Sequence, residues 1–178
     1  MGFFEKTVSS KTIFEGKVFD VCCQEVILDD NSKAYREVVL HHGGAGVLAL
    51  DKDKNTFLVR QYRKGAECDM LEIPAGKLEK GENPKACAIR ELQEEIGAKA
   101  GSIEKLCEFF PTPAYCSEKI SVFLATELTM CNQQLDRGEF LEIIKLPFNK
   151  TYEMVMSGEI TDGKTIIAVL KAKELLGM

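Results

Sequence analysis

The chain has 178 residues, 45% of them hydrophobic and 29% charged, with a net charge of -5. That length fits one domain with a sizeable core. The acidic balance leaves no basic footprint for nucleic acid or for an anionic membrane surface, so an anionic substrate would need local positive charge or bound cations.

The seven cysteines are odd in number and form no CxxC pair. This argues against a disulfide framework or a cysteine-rich zinc site, and reads as reduced thiols in a cytoplasmic protein. No apolar run approaches the roughly 18 residues of a membrane span. The start, MGFFEKTVSS, lacks the basic and apolar regions of a signal peptide.

Thr12 to Leu28 is rich in β-formers and predicts one or two strands, closed by the turn cluster Asp29-Asp30-Asn31-Ser32. Strands are expected at Tyr35–His41, Gly46–Leu50, Thr56–Tyr62 and Met70–Ile73, with a hairpin turn at Asp51–Asn55. Asn83 as N-cap, Pro84 at the first helical position and Gly97 as a left-handed stop bracket a helix over 84–96. Its apolar stripe reads Ala86, Ile89, Leu92 and Ile96. Three further strands are expected at Ile103–Phe110, Ile120–Leu128 and Phe140–Leu146. Helices near Lys150–Met156 and Thr165–Leu176 follow, the last capped by Asp162. Hairpin-ordered strands with few helices indicate α/β architecture, helices packed on a sheet.

The helix over 84–96 gathers Glu91, Glu94 and Glu95 in its last turns. A helix C-terminus disfavours carboxylates by about 0.3–1 kcal/mol each, and the i,i+4 pair Glu91 and Glu95 repel one another. Either the cluster is a solvated acidic face, or it holds a cation that converts repulsion into ligation. Clustered carboxylates are hard oxygen ligands, suited to Mg2+ or Mn2+ rather than zinc.

These glutamates belong to a longer pattern: Gly76, five residues, Glu82, seven residues, then Arg90-Glu91-Leu92-Gln93-Glu94-Glu95-Ile96-Gly97-Ala98. It resembles the Nudix box, a Gly, Glu and REUxEExGU signature with U apolar, and every specified position is filled. The resemblance implies a Nudix-type α/β/α sandwich with a mixed central sheet, plus an N-terminal antiparallel strand segment. It further implies residues 1–32 as a dimerisation arm, 33–178 as the hydrolase domain, and a metal-dependent hydrolase of nucleoside diphosphates linked to another group.

Carried over residue by residue, the resemblance implies Glu91 and Glu95 as metal ligands, Glu94 as a further ligand or supporting catalytic group, and the Ala75 carbonyl as another ligand. Arg90 would hold a box carboxylate in place, and Glu82 would orient the loop or join the site. Val59-Arg60-Gln61-Tyr62-Arg63 and Leu71-Glu72-Ile73-Pro74-Ala75-Gly76 are similar to the ADP-ribose pyrophosphatase branch. So is Pro113, sixteen residues beyond Gly97, although Ala114 stands where that branch often has Gly. The branch implies ADP-ribose as substrate, Mg2+ (or Mn2+) as cofactor, a homodimer, and substrate contacts from Arg60, Arg63, Glu72, Glu82 and Pro113. It also implies a loop glutamate as general base: Glu139 in Asp136-Arg137-Gly138-Glu139-Phe140 is first choice and Glu142 second. Phe14, Phe19 or Tyr35 would stack on adenine or merely pack the sheet. Other readings are a hydrolase of another nucleotide sugar or of nucleoside triphosphates, and a non-catalytic ADP-ribose sensor. The intact box and the absence of a basic patch speak against the sensor.

Overall fold

Gly16 turns the chain between its first two strands, because a Cβ there would meet the Phe14 ring and the Phe19 carbonyl. The computed structural model describes residues 3–135 and 138–177, which divide into two units. The first holds residues 3–43 and 110–119. In it β1 (Lys6–Glu15), β2 (Phe19–Ile27) and β3 (Lys33–His41) form an antiparallel sheet in sequential order. Expectation placed the first strand too late: β1 starts at Lys6, where the polar run KTVSSK carries no apolar signal and pairing with β2 supplies the order. The segment 110–119 joins through Val39, whose N–H donates to the Tyr115 carbonyl at 2.8 Å while its carbonyl accepts from the Ser117 N–H at 2.9 Å. Phe14, Phe19 and Tyr35 are exposed at 52%, 41% and 61%, so none is a core residue of this sheet.

The second unit holds residues 44–109 and 120–177. Its strands are β4 (Gly44–Leu50), β5 (Asn55–Arg63), β6 (Cys68–Glu72), β7 (Ala75–Lys77), β8 (Ala98–Phe109), β9 (Ile120–Met130) and β10 (Leu141–Pro147). Its helices are α1 (Pro84–Ile96), α2 (Phe148–Met156) and α3 (Gly163–Leu176). The strands order as β10-β5-β4-β9-β8, with β6 added on β5 and β7 on β4. β4 and β9 run parallel and the other named pairs antiparallel, so the sheet is mixed. β4 is forked along one edge. Gly44–Gly46 pairs with β7, Ala49–Leu50 pairs with β5, and between them the Val47 N–H donates to the Pro74 carbonyl at 2.9 Å.

Side chains of β4 and β5 alternate between two cores. Ala45, Val47, Ala49, Phe57 and Val59 pack under α1 against Cys87, Ala88, Leu92 and Ile96. Leu48, Leu50 and Leu58 face the other way, onto Met154, Val155, Ala168 and Val169 of α2 and α3. Each fully buried Leu, Ile or Val is worth about 1.5–3 kcal/mol. These layers make the α/β/α sandwich expected from the sequence.

A second expectation is corrected. The buried stripe of α1 is Cys87, Ala88, Glu91, Leu92, Glu95 and Ile96; Ala86 and Ile89 are exposed, Ile89 at 45%. Small Cys87 and Ala88 let the helix approach Ala45 and Ala49 closely, which larger Ile89 would prevent.

Candidate active site

The helix α1 forms as its caps dictate. The Asn83 side chain accepts from the Lys85 N–H at 2.9 Å, and Gly97 takes φ 62°. Because Leu92 and Ile96 dock on the sheet, their neighbours Glu91 and Glu95 are drawn in with them and end 8% and 4% exposed. The cluster is therefore not a solvated acidic face.

The loop before α1 is shaped to meet these carboxylates. Glu95 Oε2 accepts from the Ala75 N–H at 3.0 Å. A Cβ built on Gly76 would fall inside the Glu91 carboxylate, so the close approach of β7 and α1 requires glycine there. Burial, then the charges of Glu91 and Glu139, push Glu95 up to about 8, against its hydrogen bond from Ala75. Burial also raises Glu91; Arg90 opposes this, and Glu94 and Glu139 reinforce it.

Arg90 ties the loop to the helix. Its Nη1 donates to Glu91 Oε1 at 2.6 Å and to Glu94 Oε2 at 2.8 Å. Its Nε and Nη2 reach the Glu82 carboxylate at 3.1 and 3.2 Å. Glu82 also accepts from the Glu79 N–H at 2.9 Å, so it fastens the loop, and Arg90 holds its carboxyl below the ordinary range. Glu94 thus faces Arg90. Burial drives the neighbouring Cys87 thiol up to about 12, which keeps it protonated and removes it as a nucleophile.

A second cluster lies at the ends of β5 and β6. Arg63 grips Glu72 through two hydrogen bonds of 2.7 and 2.8 Å, and Lys164 donates to Glu72 at 2.6 Å and to Asp162 at 2.8 Å. Although burial opposes it, these two cations hold Glu72 below its ordinary range. The charge of Arg63 is felt at Glu95, which joins this cluster to the box. The Ile73 N–H donates to Thr165 Oγ1 at 2.8 Å, and Asp162 caps α3 by accepting from the Thr165 N–H at 2.9 Å. Sequence reasoning named Arg63 and Glu72 as separate substrate contacts, not as a pair, and missed Lys164, whose only signal was its place two residues after a cap.

The other expected residues are placed as follows. Glu139 lies close enough for its charge to raise both Glu91 and Glu95; Asp136 and Arg137 of its loop fall outside the described residues. Arg60 pairs with Glu142 at 3.1 Å on an exposed face, where the two neutralise one another. Pro113 belongs to the first unit, lining a cavity of about 320 Å3 with Val38, Phe110 and Tyr115.

A NUDIX domain matches residues 40–164 of the chain. The chain belongs to the NUDIX family. It is 40% identical over 176 residues to an ADP-ribose pyrophosphatase of Bacillus subtilis (strain 168), covering 97% of this chain and 95% of that one. It is 37% identical over 169 residues to a protein of Bacillus methanolicus named methanol dehydrogenase activator, covering 94% and 91%. A crystal structure of an ADP compounds hydrolase superposes with a TM-score of 0.84 at 21% identity, covering 97% of this chain and 94% of that one, a likeness of fold.

NUDIX hydrolases work with divalent metal, and this donor set fits one. Two buried carboxylates with raised proton affinity, backed by a glycine loop, are costly as anions and would be relieved by a hard cation. Among the described residues no three His, Cys, Asp or Glu side chains converge as a ready chelate. Backbone, water and substrate oxygens would complete such a shell.

Proposed function

We propose that this NUDIX hydrolase cleaves the diphosphate of ADP-ribose with one water, giving AMP and ribose 5-phosphate. The observation that carries the reading is the buried Glu91–Glu95 pair pressed against Gly76, a site that favours a cation over an empty state. The full-length likeness to an ADP-ribose pyrophosphatase supports the substrate.

Mg2+, or Mn2+ as the alternative, would be held by Glu91, Glu95 and the Ala75 carbonyl, with Glu94 in support; when bound it supplies charge neutralisation at the phosphoryl oxygens and acidifies water. Arg90 keeps Glu91 and Glu94 oriented, and Glu82 fixes the loop. Glu139 takes the proton of the attacking water as general base, a role supported by its charge reaching Glu91 and Glu95. Arg63, positioned by Glu72, offers its remaining donor to a phosphate. Arg60 would contribute positive charge to a substrate only by leaving Glu142, and the likeness to an ADP-ribose pyrophosphatase makes Pro113 a candidate for substrate contact. Residues 1–32 act as an arm between two copies of the chain, consistent with Phe3 99% and Phe4 71% exposed. Such an enzyme is cytoplasmic, takes a small-molecule nucleoside diphosphate, and engages neither nucleic acid nor membrane. No described helix is long and apolar enough to cross one.

Turnover of ADP-ribose, GDP-mannose, ADP-glucose and nucleoside triphosphates, compared by kcat/KM, tests the reading. ADP-ribose should lead. A slower rate on ADP-ribose than on every other compound would overturn the substrate assignment, and a monomeric mass in solution would overturn the arm.

A further inference from the structure

The strand β5 presents Phe57, Val59, Gln61 and Arg63 to one face of the sheet. Phe57 and Val59 fill the core under α1, and Arg63 continues the row to Glu72. Gln61 stands between core and cluster. Its cross-strand partners are Met70 on β6 and Leu141 on β10. Leu141 packs on the same α1-side core and follows Glu139 by two residues. Gln61 therefore lies on the face that carries Glu91 and Glu95, flanked by Arg63 along its strand and by the Glu139 segment across the sheet.

Its amide is an anomaly. Among the described residues, Gln61 Nε2 is the buried side-chain nitrogen without a hydrogen-bond partner. Burying an amide without an acceptor costs about 1–3 kcal/mol, and native proteins rarely leave such a group unexplained. On this face Glu72 already takes Arg63 and Lys164, and Glu95 Oε2 takes the Ala75 N–H. At this position a Leu or Met would extend the apolar row at no such cost. What remains is an amide nitrogen with no acceptor from the chain, on the sheet face that carries Glu91 and Glu95.

We infer that half-buried Gln61 is a substrate-binding residue, its carboxamide nitrogen turning to donate to an oxygen of the nucleoside diphosphate compound. The inference rests on this face being the hydrolytic site. Substrate would complete a hydrogen bond that the free protein lacks, so the amide contributes to binding what it withholds from stability. Gln61→Met and Gln61→Leu keep the volume and remove the donors. They should be at least as thermally stable as wild type, while kcat/KM falls about tenfold or more, mainly through KM. The assay uses whichever of ADP-ribose, GDP-mannose or ADP-glucose wild type turns over fastest, so the choice of compound tests the proposed substrate and the ratio of variant to wild type tests Gln61. Variants with kcat/KM within twofold of wild type and a raised Tm would make the amide a mere buried defect and overturn the inference. A Tm several degrees lower in both would make it a structural residue and overturn it equally.

Discussion

Replacing Glu95 by Gln should stabilise the metal-free protein while abolishing turnover. Glu95 is 4% exposed, and burial together with Glu91 and Glu139 raises it from an ordinary 4.5 to about 8. For an acid raised in this way, the folded state binds the proton more tightly than the unfolded one. The favourable contribution is full below about pH 4.5 and is lost as pH climbs to about 8. At about 1.4 kcal/mol per pH unit the ceiling is near 5 kcal/mol, and relaxation around Glu91 reduces it to about 2–4 kcal/mol. Glutamine carries no charge and still offers Ala75 an acceptor. Urea unfolding in EDTA at pH 5 and pH 8.5 reads the difference. Wild type should lose about 1–2 M in midpoint over this window, and Glu95→Gln much less. Parallel losses in both proteins, or a variant less stable than wild type at pH 8.5, would refute the idea that an uncompensated buried charge sits at this helix end.

Gly76→Ala drives a methyl into the Glu91 carboxylate. A loss of about 1–3 kcal/mol in unfolding free energy is expected, with turnover falling by more than stability explains. Lys164→Met leaves buried Glu72 with Arg63 as its remaining cation. We expect about 1–3 kcal/mol of destabilisation by denaturant titration, and Lys164→Arg should restore most of it. Glu139→Gln should lower kcat by about 10²–10⁴ in a steady-state assay, whereas Glu142→Gln, which only frees Arg60, should stay within a few-fold of wild type.

What the sequence made legible was local. Asn83, Pro84 and Gly97 are read within one helical turn of where they act, so α1 starts and stops where expected. Other features depend on partners far along the chain. The first residues of β8, Ala98 to Gly101, have poor strand propensity and are ordered by Leu128 to Met130 of β9. β7 is three residues long and exists because Gly44–Gly46 pairs with it. The phase of α1 misled because hydrophobicity favours Ile89, whereas close packing on Ala45 and Ala49 selects Cys87 and Ala88. In the site, the box glutamates and Arg90 follow from the motif, whereas Arg63 and Glu72 were expected as separate substrate contacts and their pairing shows only in the fold. The bond from Lys164 to Glu72 spans 92 residues and leaves no local trace.

The fork of β4 bears on how such a chain can diverge. The β5–β6 hairpin and the β7 loop hang from different ends of one strand. The hairpin tip, Lys64 to Glu67, is exposed, while its strands β5 and β6 pair with one another and β5 also pairs with β10. Doubling the length of such a tip costs only about 0.6 kcal/mol of closure entropy. Insertions there can accumulate while Ala75 and Gly76 stay fixed against Glu95 and Glu91. A lineage can therefore vary what its hairpin reaches without disturbing the carboxylates, so that specificity and chemistry drift on separate tethers.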